Sequence, residues 1–228
     1  MRETVLDHGY VQLVESWGSD ERIIEAARMS TQKGFKGWGT PEAPGDEKLL
    51  RYLWENEHAT PFEMAGAIFE VKAPLFVFRE WHRHRTQSYN EMSARYIPMP
   101  DDNYVPSYSR LGMTSPTKQA AGVSDYDDHL AMEWINELPG MYAALEKFYQ
   151  KGLNAGIPKE LARLVVPVGR YSIMRASANL RNWIGFLKLR SDEKAQWEIR
   201  QYANAVLTML SFKFPRTLQI ARKSITGG

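Results

Sequence analysis

The chain has 228 residues, 43% of them hydrophobic and 25% charged, which suits a globular protein with one substantial core. A formal net charge of +2 offers no global field to draw in nucleic acid, and no apolar run approaches the roughly 20 residues of a membrane span. Cysteine is absent, which excludes disulfides, thiolate metal sites and every mechanism with a thiol nucleophile.

The segment Met1–His8 has no apolar signal core, so the expected location is the cytoplasm or a similarly reducing compartment. Ser19 to Met29 reads as a helix with Ser19 as N-cap and an apolar stripe of Ile23, Ile24 and Ala27. Residues 34–45 hold four Gly and two Pro and read as a loop, after which Asp46 is expected to cap a helix through Glu55. His58 to Glu63 reads as a turn into a strand over Ala67–Lys72. Pro74 fits the first turn of a short helix with Leu75, Phe78 and Trp81 on one side, delivering Arg83 and Arg85 near its C-terminal end. From Ser88 onward an irregular and then extended course is expected, and residues 98–128 read as a long surface loop. His129 to Leu153 has helical spacing at Leu130, Trp134, Leu138, Tyr142, Leu145 and Phe148, with a kink or break expected at Pro139-Gly140. A short helix runs from about Pro158 to Val165, a strand from Tyr171 to Ala178, and helices over Asn179–Arg190 and from Asp192 to about Phe212. Lys213, Arg216, Arg222 and Lys223 read as a solvated basic tail. The resulting class is α+β: a small, mainly antiparallel sheet packed with helices, in a single domain over 1–228.

The segment that carries chemistry is Arg83-His84-Arg85-Thr86-Gln87-Ser88-Tyr89-Asn90-Glu91-Met92-Ser93-Ala94-Arg95. Clustered arginines repel one another unless an anion or a carboxylate sits among them, and their planar forks suit phosphate. Ser88, Asn90 and Ser93 add uncharged hydrogen-bonding groups, and Glu91 can accept from a sugar hydroxyl. The combination suits a nucleotide; a solvated basic helix end with an internal Arg–Glu pair is the plainer reading. A metal site built on His82 and His84 with His58 or Glu63 is disfavoured by the adjacent arginines. No Gly-x-Gly-x-x-Gly occurs, so a Rossmann nicotinamide site is not indicated.

The run fits Arg-His-Arg-x-x-Ser-x-Asn-Glu-x-Ser-x-Arg and resembles the signature of the flavin-dependent thymidylate synthases. His58-Ala59-Thr60-Pro61-Phe62-Glu63, Glu160-Leu161-Ala162-Arg163 with Pro167, and Asn179-Leu180-Arg181 through Arg190 to Ala195-Gln196-Trp197-Glu198-Ile199 resemble further family segments in the same order. Four ordered segments are far more specific than one short motif.

The resemblance implies synthesis of dTMP from dUMP, with a methylene group from 5,10-methylenetetrahydrofolate and reducing equivalents from NADPH through FAD. NADPH is expected to bind transiently near the flavin. Lack of a cysteine agrees independently with a mechanism lacking a thiol nucleophile. The resemblance implies Arg190 as the group that stabilises negative charge on the uracil ring. It implies a dUMP site of Glu80, Trp81, His82, Arg83, Glu91, Met92, Ser93, Ala94, Arg95, Arg163 and Arg190. FAD is expected on Thr60, Arg83, His84, Arg85, Glu91, Asn179, Leu180, Arg181 and Gly185, with His58 and Lys194 in the folate or flavin region. Ser93 has no evident base partner and is expected to bind dUMP rather than attack it. A homotetramer with shared sites is implied, with no metal, nucleic-acid or membrane partner. Three positions depart from the family pattern: Glu80 where Gln is common, Gly185 where Asn or His is usual, and Lys194 in place of His. Two other functions fit parts of the sequence: a dUMP hydroxymethylase on the same fold, and a non-catalytic nucleotide- or RNA-binding module.

Overall fold

The computed structural model describes residues 1–113 and 127–225. In chain order these form β1 (Arg2–Val5), β2 (Gly9–Trp17), α1 (Asp20–Arg28), α2 (Gly45–Glu55), α3 (Thr60–Glu63), β3 (Gly66–Pro74), α4 (Leu75–Trp81), β4 (Ser88–Glu91), α5 (Tyr108–Leu111), α6 (Asp128–Asn154), α7 (Lys159–Ala162), β5 (Tyr171–Asn179), α8 (Leu180–Arg190), α9 (Trp197–Lys213) and α10 (Pro215–Ile225), with 3-10 turns at Met29–Thr31 and Arg163–Val165.

All five strands pair antiparallel in the order β1-β2-β3-β5-β4. The period of two decides which face is buried. On β3, Ala67, Phe69, Val71 and Ala73 face the core, in register with Ala178, Ala176, Met174 and Ser172 of β5. Helices α8, α9 and α10 cover this face with Trp183, Ile199, Tyr202, Ala203, Val206, Leu210, Leu218 and Ala221, all at most 3% exposed. The α+β class expected from the sequence is the one observed.

Ser19 caps α1 by accepting from the Arg22 N–H at 3.3 Å, and α1 buries Ile23 and Ile24. Between the 3-10 turn and α2 the chain is a loop, as its Gly and Pro content implies. Asp46, however, is not the cap: α2 starts one residue earlier, after Pro44. The buried Asp46 carboxylate instead pairs with Arg28 and accepts from the Lys36 N–H, so it pins the loop. Pro74 is the N-cap of α4 and lies outside its first turn, and α4 ends at Trp81, so Arg83 and Arg85 lie in the turn beyond it. The expected order after Ser88 is reversed. Extended structure comes first, in β4, and the irregular segment follows Glu91, because β4 is held by pairing to β5.

Helix α6 passes through Pro139 without a break. The carbonyl that loses its partner there lies on a largely exposed helix, where water can hydrate it. Only Tyr149 of α6 is buried; Leu130, Trp134, Met141 and Phe148 are each more than half exposed. The expected loop over 98–128 contains α5 and a bridge between Asn103 and Arg170; its residues 114–126 lie outside the described residues. The C-terminal basic segment is not a solvated tail. Lys213 ends α9, and Arg216, Arg222 and Lys223 belong to α10, which buries Thr217, Leu218, Ala221 and Ile225, while Arg216 pairs with Glu47 at 2.7 Å and lies over the Trp38 ring. Its cations occupy one helical face only, and the apolar residues between them reach the core. Strands β1 and β2 have no counterpart in the sequence reading.

Candidate active site

Two groups of polar side chains lie at opposite ends of β4, a four-residue strand that separates them by about 10 Å of backbone. The first gathers where α4, the Arg83–Gln87 turn and α8 meet. The turn is held tightly. Tyr89 donates its hydroxyl to the carbonyls of Trp81 and His84 at 3.1 and 2.8 Å. Trp81 donates its indole N–H to the Gln87 side-chain oxygen at 3.0 Å. Asn182 on α8 donates to the Thr86 carbonyl at 3.3 Å.

Arg190 ends α8 and reaches back into this turn. Its Nε donates to His84 Nε2 at 2.8 Å, one Nη to Glu80 Oε2 at 2.9 Å, and the other Nη to the Glu80 carbonyl at 2.8 Å. Only 15% of the Arg190 side chain is exposed. Three of its five N–H donors are therefore committed, and one on each Nη remains for a ligand. His84 must be neutral to accept this hydrogen bond. Burial, reinforced by the Arg190 guanidinium and opposed by Glu80, lowers its pKa to about 4. Glu80, the carboxylate where Gln is common in the family, is thus used within the chain as the counter-ion of Arg190.

Arg83 and Arg85 are exposed and make no ion pair among the described residues. Close to them, Asn179 caps α8 by accepting from the Asn182 N–H at 2.9 Å, and Arg181 pairs with Glu63 of α3 at 2.7 Å. This brings Thr60, which opens α3, to the start of α8. His58 is exposed at the end of α2, its ring 5.6 Å from that of Tyr52. Unpaired guanidiniums beside a helix N-terminus fit a cofactor with a pyrophosphate. The side chains of Trp81 and Leu180 are wholly buried in the core, so a ligand contact at either position runs through the backbone. His82 packs its ring on Phe78 and Tyr89. Gly185 leaves open space, since an added Cβ would meet nothing within 4 Å. Lys194 is exposed in the turn before α9.

The second group surrounds a cavity of about 300 Å³ walled by Leu75, Glu91, Met92, Ser93, Ala94, Met99, Arg163, Val166 and Ser172. The Met92 N–H donates to the Ile173 carbonyl at 2.8 Å, which lays the Met92–Ala94 segment along the end of β5. Arg163 is exposed and has no ion-pair partner among the described residues. Arg95 is paired with Glu160 at 2.9 Å, but both are about half exposed and the pair is worth little in water. Ser172 is 1% exposed and its hydroxyl has no partner among the described residues. An orphaned buried hydroxyl costs roughly 1–3 kcal/mol.

The sequence-derived site residues therefore fall into two sets. Glu80, His84 and Arg190 are joined directly, with Arg83 and Arg85 in the adjoining turn and Asn179 and Arg181 at the other end of α8; Glu91, Met92, Ser93, Ala94 and Arg163 wall the cavity. None of the first set lines it. Ser172 and the Glu63 anchor of Arg181 were not among the expected binding residues. Ser172 had a signal: it is the hydroxyl in a β5 alternation that otherwise reads Met174, Ala176, Ala178. Among the described residues no cluster of three His, Asp or Glu is placed to hold a metal ion, and no helix is long and apolar enough to cross a membrane.

Residues 12–216 match the family described as thymidylate synthase complementing protein. The flavin-dependent thymidylate synthase of Thermosipho melanesiensis is 39% identical over 221 residues, covering 96% of this chain and 93% of that protein. The enzyme of the same name from Thermus thermophilus is 38% identical over 213 residues, 92% of this chain and 74% of its own. Among solved structures, the UMP/dUMP methylase PolB of Streptomyces cacaoi bound with 5-Br dUMP superposes with a TM-score of 0.83 at 30% identity, over 99% of this chain and 98% of that one. With the match running from β2 to the start of α10, through both groups of site residues, the chain belongs to the flavin-dependent thymidylate synthase family.

Proposed function

We propose that the chain methylates dUMP reductively to dTMP, taking the methylene group from 5,10-methylenetetrahydrofolate and using FAD reduced by NADPH. The observation that carries this reading is Arg190. A chain with no thiol must activate the uracil ring electrostatically, and Arg190 is a largely buried guanidinium fixed by three hydrogen bonds with two N–H donors to spare. Placed against a uracil carbonyl and N3, those donors stabilise the negative charge that makes C5 nucleophilic. Because the donors are already oriented, little reorganisation is needed as charge develops. Arg83 and Arg85, without an ion pair among the described residues, take phosphate oxygens of the cofactor, and Glu91, Ser93 and Arg163 hold the nucleotide. Bound flavin supplies the hydride chemistry; the protein supplies orientation and charge.

The test is direct. Purified protein is expected to carry flavin absorbance, and dUMP tritiated at C5 is expected to release its label only with folate and reduced flavin present. Colourless protein that binds no FAD, or a labelled substrate that is untouched, overturns the reading. Mass analysis of the product separates dTMP from hydroxymethyl-dUMP.

A second substrate is favoured by one observation: PolB, with the same fold, is a UMP/dUMP methylase described with both 5-Br UMP and 5-Br dUMP. Parallel assays with UMP and dUMP decide between one substrate and two. Assembly as a homotetramer with shared sites is supported by the exposed apolar residues Leu130, Trp134, Met141 and Phe148 of α6. Light scattering on the purified protein measures the mass, and a monomer would remove this part of the proposal.

A further inference from the structure

We infer that Ser172 is a ligand-binding residue of the β4-end cavity, its hydroxyl donating to a phosphate oxygen of the nucleotide. The inference rests on the reading of that cavity as the dUMP site. Three observations carry it. First, Ser172 occupies a core-facing position of β5, in register with Ala73 and followed on the same face by Met174, Ala176 and Ala178; the alternation calls for an apolar side chain there. Second, the hydroxyl is buried and has no hydrogen-bond partner among the described residues, which leave its donor unused. Third, the residue walls the cavity together with Arg163 and Ser93, and the Met92–Ile173 backbone bond holds the Met92–Ala94 segment beside it.

The kind of ligand follows from the wall. An unpaired guanidinium with two hydroxyls is a donor-rich set that suits phosphate. The Glu91 carboxylate in the same cavity repels a phosphate and accepts from a sugar hydroxyl, so the two ends of a nucleotide are told apart. A hydroxyl that is satisfied only when a phosphate arrives discriminates nucleotide from nucleoside, because the nucleoside leaves it orphaned.

Titration calorimetry on the flavin-loaded protein with dUMP, and displacement of dUMP by deoxyuridine, test this with Ser172→Ala and Ser172→Thr. Ser172→Ala is expected to weaken dUMP about 10-fold or more, the effect of losing a hydrogen bond to a charged group. Deoxyuridine is expected to compete equally well in variant and wild type, and Ser172→Thr to restore dUMP binding. The melting temperature of Ser172→Ala is expected to equal or exceed that of wild type, since the lost hydroxyl had no partner. An unchanged dUMP affinity overturns the contact, as does a lowered melting temperature, which would give the hydroxyl a structural role. Equal weakening of dUMP and deoxyuridine would move the hydroxyl off the phosphate and overturn the assignment. Wild-type protein that binds no dUMP overturns the nucleotide reading of the cavity and this contact with it.

Discussion

Two arginines at opposite ends of β4, Arg190 and Arg163, are held in opposite ways. At the α4–α8 end, Arg190 is neutralised by Glu80 and braced by a neutral His84, and the group is complete before any ligand arrives. At the cavity end, among the described residues, Arg163 has no carboxylate partner and the Ser172 hydroxyl has no hydrogen-bond partner. The first arrangement keeps a guanidinium in one geometry at the cost of part of its field. The second keeps full charge and leaves groups that a phosphate would satisfy. Orientation is what a developing charge on a ring requires; unspent charge is what a dianion requires.

This contrast can be broken experimentally. The largest effect is expected at the braced end. Arg190→Ala should lower kcat roughly 10²–10³-fold, the scale of losing a pre-oriented donor, while circular dichroism shows an intact fold. A change confined to KM would make Arg190 a binding group like any other. At the unpaired end, Arg163→Ala should raise the Kd for dUMP by about 10–100-fold and leave the melting temperature unchanged, because no partner is orphaned. A large loss of stability there would mean the charge is used within the fold.

A smaller effect concerns pH. Between the ordinary His value of 6.5 and about 4, the unfolded chain takes up a proton that His84 in the folded chain refuses. Stability should therefore decline as pH falls from about 6.5 towards 4, and above that window this group contributes no slope. His84→Gln retains an acceptor for Arg190 and does not titrate, so melting curves for the variant should lose that part of the decline. Identical slopes for variant and wild type would mean that burial beside Arg190 does not hold the His84 pKa down in the folded chain. The smallest effect is at Gly185, exposed and well inside α8 with open space around it. Gly185→Ala should stabilise the protein by about 0.5–1 kcal/mol in thermal or denaturant unfolding, through helix propensity alone.

Legibility in the sequence followed physical cause. Helices α1 and α9 could be read because Ile23 and Ile24, and Ile199, Ala203, Val206 and Leu210, recur at helical spacing, with Ser19 as a clear cap on α1; α9 has no side-chain cap, and it begins at Trp197, not at the expected Asp192. Strands β1 and β2 could not. Strand β1 lies at the sheet edge, and its burial is limited to Val5, while β2 loses its alternation at a register shift between Leu13 and Glu15. The basic residues of α10 masked Leu218, Ala221 and Ile225 behind a surface-like composition. In α6 the spacing was right and the burial was not: Trp134 and Phe148 are exposed in this chain, and periodicity cannot say what covers a stripe.

For the site, residue types and their order were enough to indicate an anion-binding, thiol-free enzyme family. Cysteine content and the Arg-His-Arg run are local properties that no folding step can alter. Which carboxylate neutralises which arginine is not local. Glu80 and Arg190 are brought to 2.9 Å only because α8 returns over the end of α4, and Arg163 meets Ser172 only across a cavity between β5 and the turn after α7. Short-range patterning set the inventory of charges; tertiary packing decided which of them are paired and which remain available for a ligand.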